Sequence, residues 1–402
     1  MANDPNLDWL ISVDDHIVEP PNVWTDRVAA GDRGRAPHME TVDGTEYWVY
    51  DGKRWPTSGL GAVAGKSKEE FSPEPVSFAD MRAGCYDARA RLADMDRAGI
   101  LASLCFPTVT RFCGQMFYEA SDREFALECL KHYNDWIVEE WCAAAPGRYI
   151  PVMLIPLWDP KLAVAEMERM AARGVTTFLF SENPEPLGLP AITDPSGYWD
   201  PVMAAADEMG LVVSMHVGSS SQVPQIAKTS PFMANLAWGA IRTSGAMLIW
   251  LFSGMFQKFQ NLKIALSEGE IGWIPYFLER AEQVLDKQRF WVQRGVKFTG
   301  HAGAGFVDFD SLDVRATFRE HVFGCFIHDE HGIASIGEIG EDNIMCETDY
   351  PHSDSTWPDC IREVRSQVAH LDPGVQYKIL RGNAERLYRF TPAAPPVLAA
   401  AR

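Results

Sequence analysis

The feature that most constrains this chain is a repeated alternation of short apolar segments with amphipathic helical patterns. Eight apolar segments predict strands, among them "WLISVD", "LVVSMHV", "LKIALSE" and "NIMCETD". Between most of them lie helical patterns with apolar residues three and four apart, such as "DARARLADMDRAG". Strands of this kind are typical of a parallel sheet buried on both faces. Eight is also the strand number of a (β/α)8 TIM barrel, so we predict this α/β fold over an open doubly wound sheet.

The chain is predicted to form one barrel domain over residues 1–390, because no repeat or low-complexity linker divides it. Residues 38–55 alternate apolar positions around two Asp-Gly pairs, which predicts a small β-hairpin inserted after strand 1. Residues 56–80 are rich in Gly, Ser and Pro and predict a long loop. We therefore treat 38–80 as one insertion and 391–402 as a C-terminal tail.

Charge and composition exclude several classes of protein. The net charge of −19 argues against nucleic-acid and anionic-lipid surfaces. No apolar run approaches the ~18 residues of a membrane span, and the N-terminus lacks the features of a secretory signal. The 8 cysteines show no paired spacing and are expected to be reduced. We expect a cytoplasmic protein.

Metal-ligating residue types stand where several predicted strands end. Asp14 and His16 close the first strand and share a face, whereas Asp15 points to the other face. His216 closes another strand, and Asp349 follows the last one. In a barrel such groups meet at the carboxyl-terminal rim. Two carboxylates and two imidazoles suit one divalent metal ion, with zinc favoured and manganese or iron as alternatives.

Each of these residues also has an ordinary structural interpretation. Asp14 and His16 could form a solvated strand end, Asp349 could cap the next turn, and His352 could pair with Asp354. Further groups at strand exits are Ser267, Glu268, Glu270, His328, Asp329 and His331. The aromatic residues Trp55, Phe106, Trp273 and Trp357 could line an apolar pocket or belong to the core. Loops 56–80, 107–120, 181–196 and 297–312 are expected to shape that pocket.

Five motifs carry a resemblance to a known family: "SVDDHIVEPP", "MHVG", "SEGEIGWIPYFLER", "ETDYPHSDSTWP" and "GNAERLYRF". On these the chain resembles the metal-dependent amidohydrolase superfamily, in particular the amidohydrolase-2 branch. That branch includes aminocarboxymuconate semialdehyde decarboxylase and the γ-resorcylate decarboxylases. The resemblance implies a barrel with one metal at its mouth. Its ligands would be Asp14, His16, His216 and Asp349, and Asp349 would also shuttle a proton.

One position departs from the family pattern. Many relatives carry a His on strand six, where this chain has Ser267 and Glu268. Glu268 could act there as a general base or an extra ligand. No lysine suits the bridging ligand of two-metal members, which implies a mononuclear site.

Three hypotheses for function follow. The first is a non-oxidative decarboxylase of a small aromatic or unsaturated carboxylate, in which Asp349 protonates the carbon that loses CO₂, helped by Glu268 or His352. The alternative is a hydrolase of an amide, lactone or ester, in which metal-bound water attacks. The third is a catalytically silent barrel that serves as a binding module, which would purify without metal.

Residues 232–256, "FMANLAWGAIRTSGAMLIWLFSGMF", are apolar on nearly every side of a helix. A helix of this kind is deeply buried or covered by a second subunit. Because barrel helices normally have a polar outer face, we predict a homo-oligomer, most simply a two-fold dimer.

Overall fold

The computed structural model describes residues 7–222, 225–293 and 307–396. The predicted pocket loop 297–312 and the predicted tail 391–402 lie partly outside these described residues. The described part of the chain is an α/β fold with parallel sheets, in agreement with the predicted class.

Eight strands at the predicted apolar segments pair in parallel, in two groups. The three-stranded group has the order β1-β5-β6, and the five-stranded group has the order β11-β10-β9-β8-β7. Their members are β1 (Leu10–Ile17), β5 (Ile100–Pro107), β6 (Tyr149–Ile150), β7 (Thr177–Ser181), β8 (Val212–His216), β9 (Lys263–Ser267), β10 (Val322–Phe326) and β11 (Ile344–Cys346).

Backbone contacts connect the two groups at both of their edges. Met153, shortly after β6, forms a parallel bridge with Phe178 of β7. On the other side, the Asp349 N–H donates to the Asp14 carbonyl at 2.9 Å, and the His16 N–H donates to the Tyr350 carbonyl at 2.7 Å. The chain that leaves β11 is therefore held directly beside β1.

A separate antiparallel sheet lies between β1 and β5 in the sequence. It consists of β2 (His38–Val42), β3 (Thr45–Tyr50) and β4 (Lys53–Pro56). Both turns are Asp-Gly pairs with positive φ, Asp43-Gly44 and Asp51-Gly52, a conformation that favours these residue types in tight hairpins. Where a two-stranded hairpin was predicted, β4 adds a third strand.

Helices follow most of the parallel strands, and several begin at an aspartate. Asp87 accepts hydrogen bonds from the N–H groups of Arg89 and Ala90 and so caps α1, which ends at the left-handed Gly99 just before β5. The α-helices are α1 (Ala88–Ala98), α2 (Gln115–Tyr118), α3 (Arg123–Trp136), α4 (Pro160–Ala171), α5 (Asp200–Met209), α6 (Phe232–Trp238), α7 (Ile241–Phe252), α8 (Met255–Lys258), α9 (Ile274–Val292), α10 (Val314–His321), α11 (Glu330–Ala334), α12 (Ile336–Ile339), α13 (Cys360–Val368), α14 (Pro373–Tyr377) and α15 (Asn383–Leu387).

The segment 232–256, predicted as one long helix, is divided into α6, α7 and the start of α8. The prediction of a continuous helix was wrong, because the chain turns at Gly239 and Ala240, which keep right-handed dihedral angles, and again at Gly254, which has a φ of 81°. Helix α7 buries Met247, Trp250 and Leu251, whereas α6 buries none of its residues. Among the described helices, none is long and apolar enough to cross a membrane.

Candidate metal centre

Four of the predicted site residues meet at the carboxyl ends of the parallel strands. Asp14 and His16 lie in the second half of β1, His216 is the last residue of β8, and Asp349 follows β11 by three residues. All four side chains are buried. The strand ends therefore bring together groups more than three hundred positions apart in the sequence, as parallel strands predict.

The distances between these side chains place them around one small volume. His16 Nε2 lies 3.2 Å from His216 Nε2 and 3.2 Å from an oxygen of Asp349. The two oxygens of Asp14 lie 3.4 Å from His16 Nε2 and 3.4 Å from His216 Nε2. Ligand atoms of Asp14, His16 and His216 all lie within 4.8 Å of one another, as do those of His16, Asp349 and His352.

The carboxylates of this cluster lack the hydrogen bonds that burial normally requires. Within the described residues, neither oxygen of Asp14 and neither oxygen of Asp349 accepts a hydrogen bond with acceptable geometry. A buried carboxylate without hydrogen bonds is costly unless a cation compensates it. The donor set, two carboxylates and two imidazoles, is one that divalent transition metals bind. The residues present therefore fit a metal ion.

The pKa shifts of His16 and Asp349 favour the forms that bind metals, whereas that of Asp14 favours the protonated form as long as no cation compensates its charge. Burial, followed by the charges of Glu347 and Asp349, raises the pKa of Asp14. Burial and the neighbouring His352 lower the pKa of His16 to about 4, so its imidazole is neutral at pH 7. Burial opposes ionisation of Asp349, but His352 and His16 outweigh it and lower the pKa of Asp349. Neutral imidazole and ionised carboxylate are the forms that bind metals.

Glu268 joins the same cluster from the end of β9. One of its oxygens lies 3.1 Å from His216 Nε2, and its side chain is 24% exposed, so it faces both the cluster and the solvent. Its backbone has a φ of 54° and is held by the buried Glu347, whose oxygens accept the Glu268 N–H at 3.0 and 3.1 Å. Burial, followed by the charges of Asp349 and Asp354, raises the pKa of Glu268. A carboxyl group with a raised pKa can hold a proton next to the cluster.

His352 and two phenylalanines form the walls of the site. The His352 ring stacks on His16 with centroids 3.6 Å apart, and its Nδ1 lies 3.0 Å from an oxygen of Asp349. The Phe112 ring stacks on His216 with centroids 4.0 Å apart. Phe106 approaches His216 edge-on at 5.0 Å. Flat rings therefore pack against both imidazoles of the cluster.

Other predicted residues lie elsewhere. Asp329 is structural, since it accepts the N–H groups of Ile271, Gly272 and Gly332 and caps α11. Trp357 donates to the Asp94 carbonyl and packs on Tyr350. Trp273 donates to the Gly269 carbonyl. Trp55 lines a cavity of about 570 Å³ between the antiparallel sheet and the loop after β5.

Sequence reasoning missed two residues that contact the cluster. Phe112 lies in the loop 107–120, which was expected to shape the pocket, but no local pattern distinguishes it from the other aromatic residues there. Glu347 comes two residues before Asp349 and was read as part of the apolar strand β11. Its acidic side chain in a buried segment was the available signal.

Comparisons with known proteins place this chain in a family. The amidohydrolase family model matches residues 36–390, so the chain belongs to the amidohydrolase family. This confirms the predicted family and the prediction of an enzyme. The match begins after β1 and therefore does not include Asp14 and His16.

Individual relatives have more specific names. A γ-resorcylate decarboxylase of Rhizobium radiobacter is 26% identical over 316 residues, covering 74% of this chain and 86% of the relative. An amidohydrolase structure from Mycobacterium avium subsp. paratuberculosis has a TM-score of 0.70 at 20% identity, covering 94% of this chain and 97% of that one. A dihydroxybenzoic acid decarboxylase structure from Polaromonas sp. JS666, with bound manganese and the inhibitor 2-nitroresorcinol, has a TM-score of 0.61 at 18% identity, covering 95% and 97%.

Proposed function

We propose that this protein is a metal-dependent, non-oxidative decarboxylase of a small aromatic carboxylate that carries a neighbouring hydroxyl group. The observation that carries the proposal is the buried set of carboxylates without hydrogen bonds at the strand ends. The decarboxylase names of the relatives support the reaction, and the 2-nitroresorcinol bound in a related structure supports an aromatic substrate.

Asp14, His16, His216 and Asp349 are the proposed ligands of one divalent ion. Such an ion supplies a positive charge that binds the substrate carboxylate and an adjacent oxygen. Zinc was favoured from the sequence, but manganese in a related decarboxylase structure makes that ion an equal candidate. Carboxylate-rich ligand sets also suit manganese.

The proposed proton transfers use three side chains of the cluster. Breaking the bond between the ring carbon and the carboxylate leaves an electron pair on that carbon, which must receive a proton. Asp349 is the proposed proton donor, and His352, whose Nδ1 lies 3.0 Å from an oxygen of Asp349, supplies that proton from the exposed side. Glu268 is proposed to hold a second proton beside His216 in place of the family's strand-six His.

We also propose that the eight parallel strands close into a barrel and that residues 1–390 form one domain. The bridge between Met153 and Phe178, and the hydrogen bonds from the chain after β11 to β1, support closure at both edges. The sheet of residues 38–56 is proposed to belong to this domain as an insertion.

A two-fold dimer is the proposed assembly. Helix α6 exposes Phe232, Met233 and Leu236 by 71%, 75% and 56%, an apolar surface of the kind that marks interaction sites. We expect a dimer in sedimentation velocity at micromolar concentration and a monomer for Leu236→Glu. Leu162→Glu, at an exposed leucine of α4, is the matched control and should remain dimeric. A monomeric wild type would reject this assembly.

The test of function combines metal analysis with a product assay. The purified protein should contain about one divalent ion per chain, and metal-loaded enzyme should release CO₂ from a hydroxybenzoate. Asp349→Asn and chelator treatment should abolish this release, whereas Asp313→Asn, at the cap of α10, should not. Acid production from a simple lactone or ester without CO₂ release would favour the hydrolase. Absence of metal and indifference to chelator would indicate a silent barrel.

A further inference from the structure

Glu182 is a buried carboxylate that anchors the segment next to His216. It follows β7 directly, and its side chain is only 6% exposed. Its Oε1 accepts hydrogen bonds from the Gly218 N–H at 2.9 Å, the Ser220 hydroxyl at 2.8 Å and the Arg242 guanidinium at 2.9 Å. The first two donors belong to residues 217–221, the segment that leaves β8. Glu182 therefore fixes this segment at a position two residues beyond His216.

The peptide group between Val217 and Gly218 connects this anchor to the metal cluster. Its N–H is the one that Glu182 accepts, and its carbonyl lies 2.5 Å from His216 Nδ1. Because the peptide is planar, holding the N–H also fixes the direction of the carbonyl. A carbonyl can only accept, so His216 Nδ1 must carry the hydrogen. Nε2, which faces His16 and Asp14, is then left with its lone pair free for a metal.

Neighbouring groups restrict the orientation of the Val217–Gly218 peptide. Gly218 has a φ of 88°, and a Cβ added there would lie 3.2 Å from the Phe112 ring, which itself stacks on His216. The Val217 N–H is also bound, by the Ser267 carbonyl at 3.2 Å. The direction of the Val217 carbonyl therefore depends on the contacts of this short segment, and Glu182 provides the side-chain acceptor for two of its donors, the Gly218 N–H and the Ser220 hydroxyl.

We propose that Glu182 is a positioning residue for metal binding, which acts through the Val217–Gly218 peptide to fix the tautomer and ring orientation of His216. The proposal rests on the proposed metal site and extends it to a residue that contacts no proposed ligand side chain. Groups that orient a metal-binding imidazole typically change metal affinity by about 10- to 100-fold. The same order of effect is expected here.

The test measures metal affinity in the full-length protein, by competition with a chromogenic chelator for Zn²⁺ and by the electron paramagnetic resonance signal of free Mn²⁺. Glu182→Ala should weaken both affinities by about 10- to 100-fold. Glu182→Gln keeps an oxygen that can accept from Gly218 and should stay within about threefold of wild type. Rescue by Gln distinguishes positioning from a requirement for charge.

Glu166→Ala is the matched control, since Glu166, a residue of α4, is 1% exposed and accepts hydrogen bonds from Asn134 and Arg169. We expect both Glu166→Ala and Glu182→Ala to lower the unfolding temperature, but only Glu182→Ala to weaken metal binding. Unchanged affinity in Glu182→Ala, or an equal loss in Glu166→Ala, would overturn the proposal. A wild type that binds neither metal would instead refute the proposed function, so the two failures are distinguishable.

Discussion

Asp14 and Asp15 are adjacent, fully buried carboxylates of one strand, but their surroundings are opposite. Asp15 accepts hydrogen bonds from the hydroxyls of Ser12, Ser103 and Thr348 and from the Tyr350 N–H. Asp14 accepts none with acceptable geometry from the described residues and instead faces two imidazoles. The strand thus carries a satisfied carboxylate on one face and an unsatisfied one on the other.

This difference separates a structural role from the metal-binding role proposed for Asp14. A buried carboxylate with several donors has part of the cost of its burial offset by those donors, and removing it leaves them without a partner. A buried carboxylate without donors is a cost to the folded protein that a bound cation or protonation of the carboxylate must offset. Burial and residue type are the same for Asp14 and Asp15, so the count of hydrogen bonds decides between the two roles.

The largest effect is expected for Asp14→Asn. It should lower metal affinity and reduce kcat/KM about a thousandfold, because several kcal/mol of charge stabilisation depend on the ion and each ~1.4 kcal/mol is tenfold in rate. The metal-free variant should also unfold at a higher temperature than metal-free wild type, since Asn carries no buried charge that must be protonated or compensated. Metal titration, steady-state kinetics and thermal unfolding measure these changes. Full activity with stoichiometric metal would contradict the assignment of Asp14.

Asp15→Asn should lower the stability of the fold and leave metal binding intact. It places an amide against four donors and removes the negative charge near Arg91, so we expect a loss of about 3 kcal/mol in the free energy of unfolding. Metal stoichiometry of the folded variant should be retained. Urea unfolding at constant pH gives the first quantity and elemental analysis the second. A stable Asp15→Asn variant that binds no metal would show instead that Asp15 has the role proposed for Asp14.

Glu268→Gln tests a carboxyl group at the margin of the cluster. If Glu268 holds a proton, kcat should fall about a hundredfold while metal content and KM stay near the wild-type values. If it is an extra ligand, the metal affinity falls instead. Single-turnover kinetics on metal-loaded protein, with metal content measured in the same sample, separates the two roles.

The hydrogen bonding of the buried Glu19 is intermediate between that of Asp14 and that of Asp15. One of its oxygens accepts from the N–H groups of Val109 and Thr108, and the other is buried without a partner among the described residues. Burial, opposed in part by these N–H groups, raises its pKa from 4.5 to about 7. The folded protein therefore binds the proton more tightly than the unfolded chain, and the stability that this contributes is lost as the pH rises through 7.

The expected loss from Glu19 is about 2 kcal/mol between pH 5 and pH 8. Glu19→Gln should lack this part of the pH dependence, so its stability profile should be flatter than that of wild type. Urea unfolding of both metal-free proteins across this range measures the difference. Parallel profiles would show that Glu19 is ionised in the folded protein.

Much of the fold and of the candidate site was predictable because the signals are local. Apolar runs gave the eight parallel strands, and the positions of Asp14, His16, His216 and Asp349 at strand ends predicted that they would meet. The division of residues 232–256 was missed because a strong apolar pattern continues through the turn at residues 239–240 and through the left-handed Gly254. Phe112 and Glu182 were missed because their roles depend on neighbours from other strands.

The sequence by itself determined which residues form the strands and that Asp14 and Asp15 point to opposite faces, since alternation along a strand follows from covalent geometry. Only the tertiary structure decided which of the two would be satisfied. Ser103, Thr348 and Tyr350 contact Asp15 from distant parts of the chain. On the opposite face of β1, Asp14 and His16 lie beside His216 and Asp349. Hydrogen bonds and charges act over a few ångströms in space, whatever the separation of their residues along the chain.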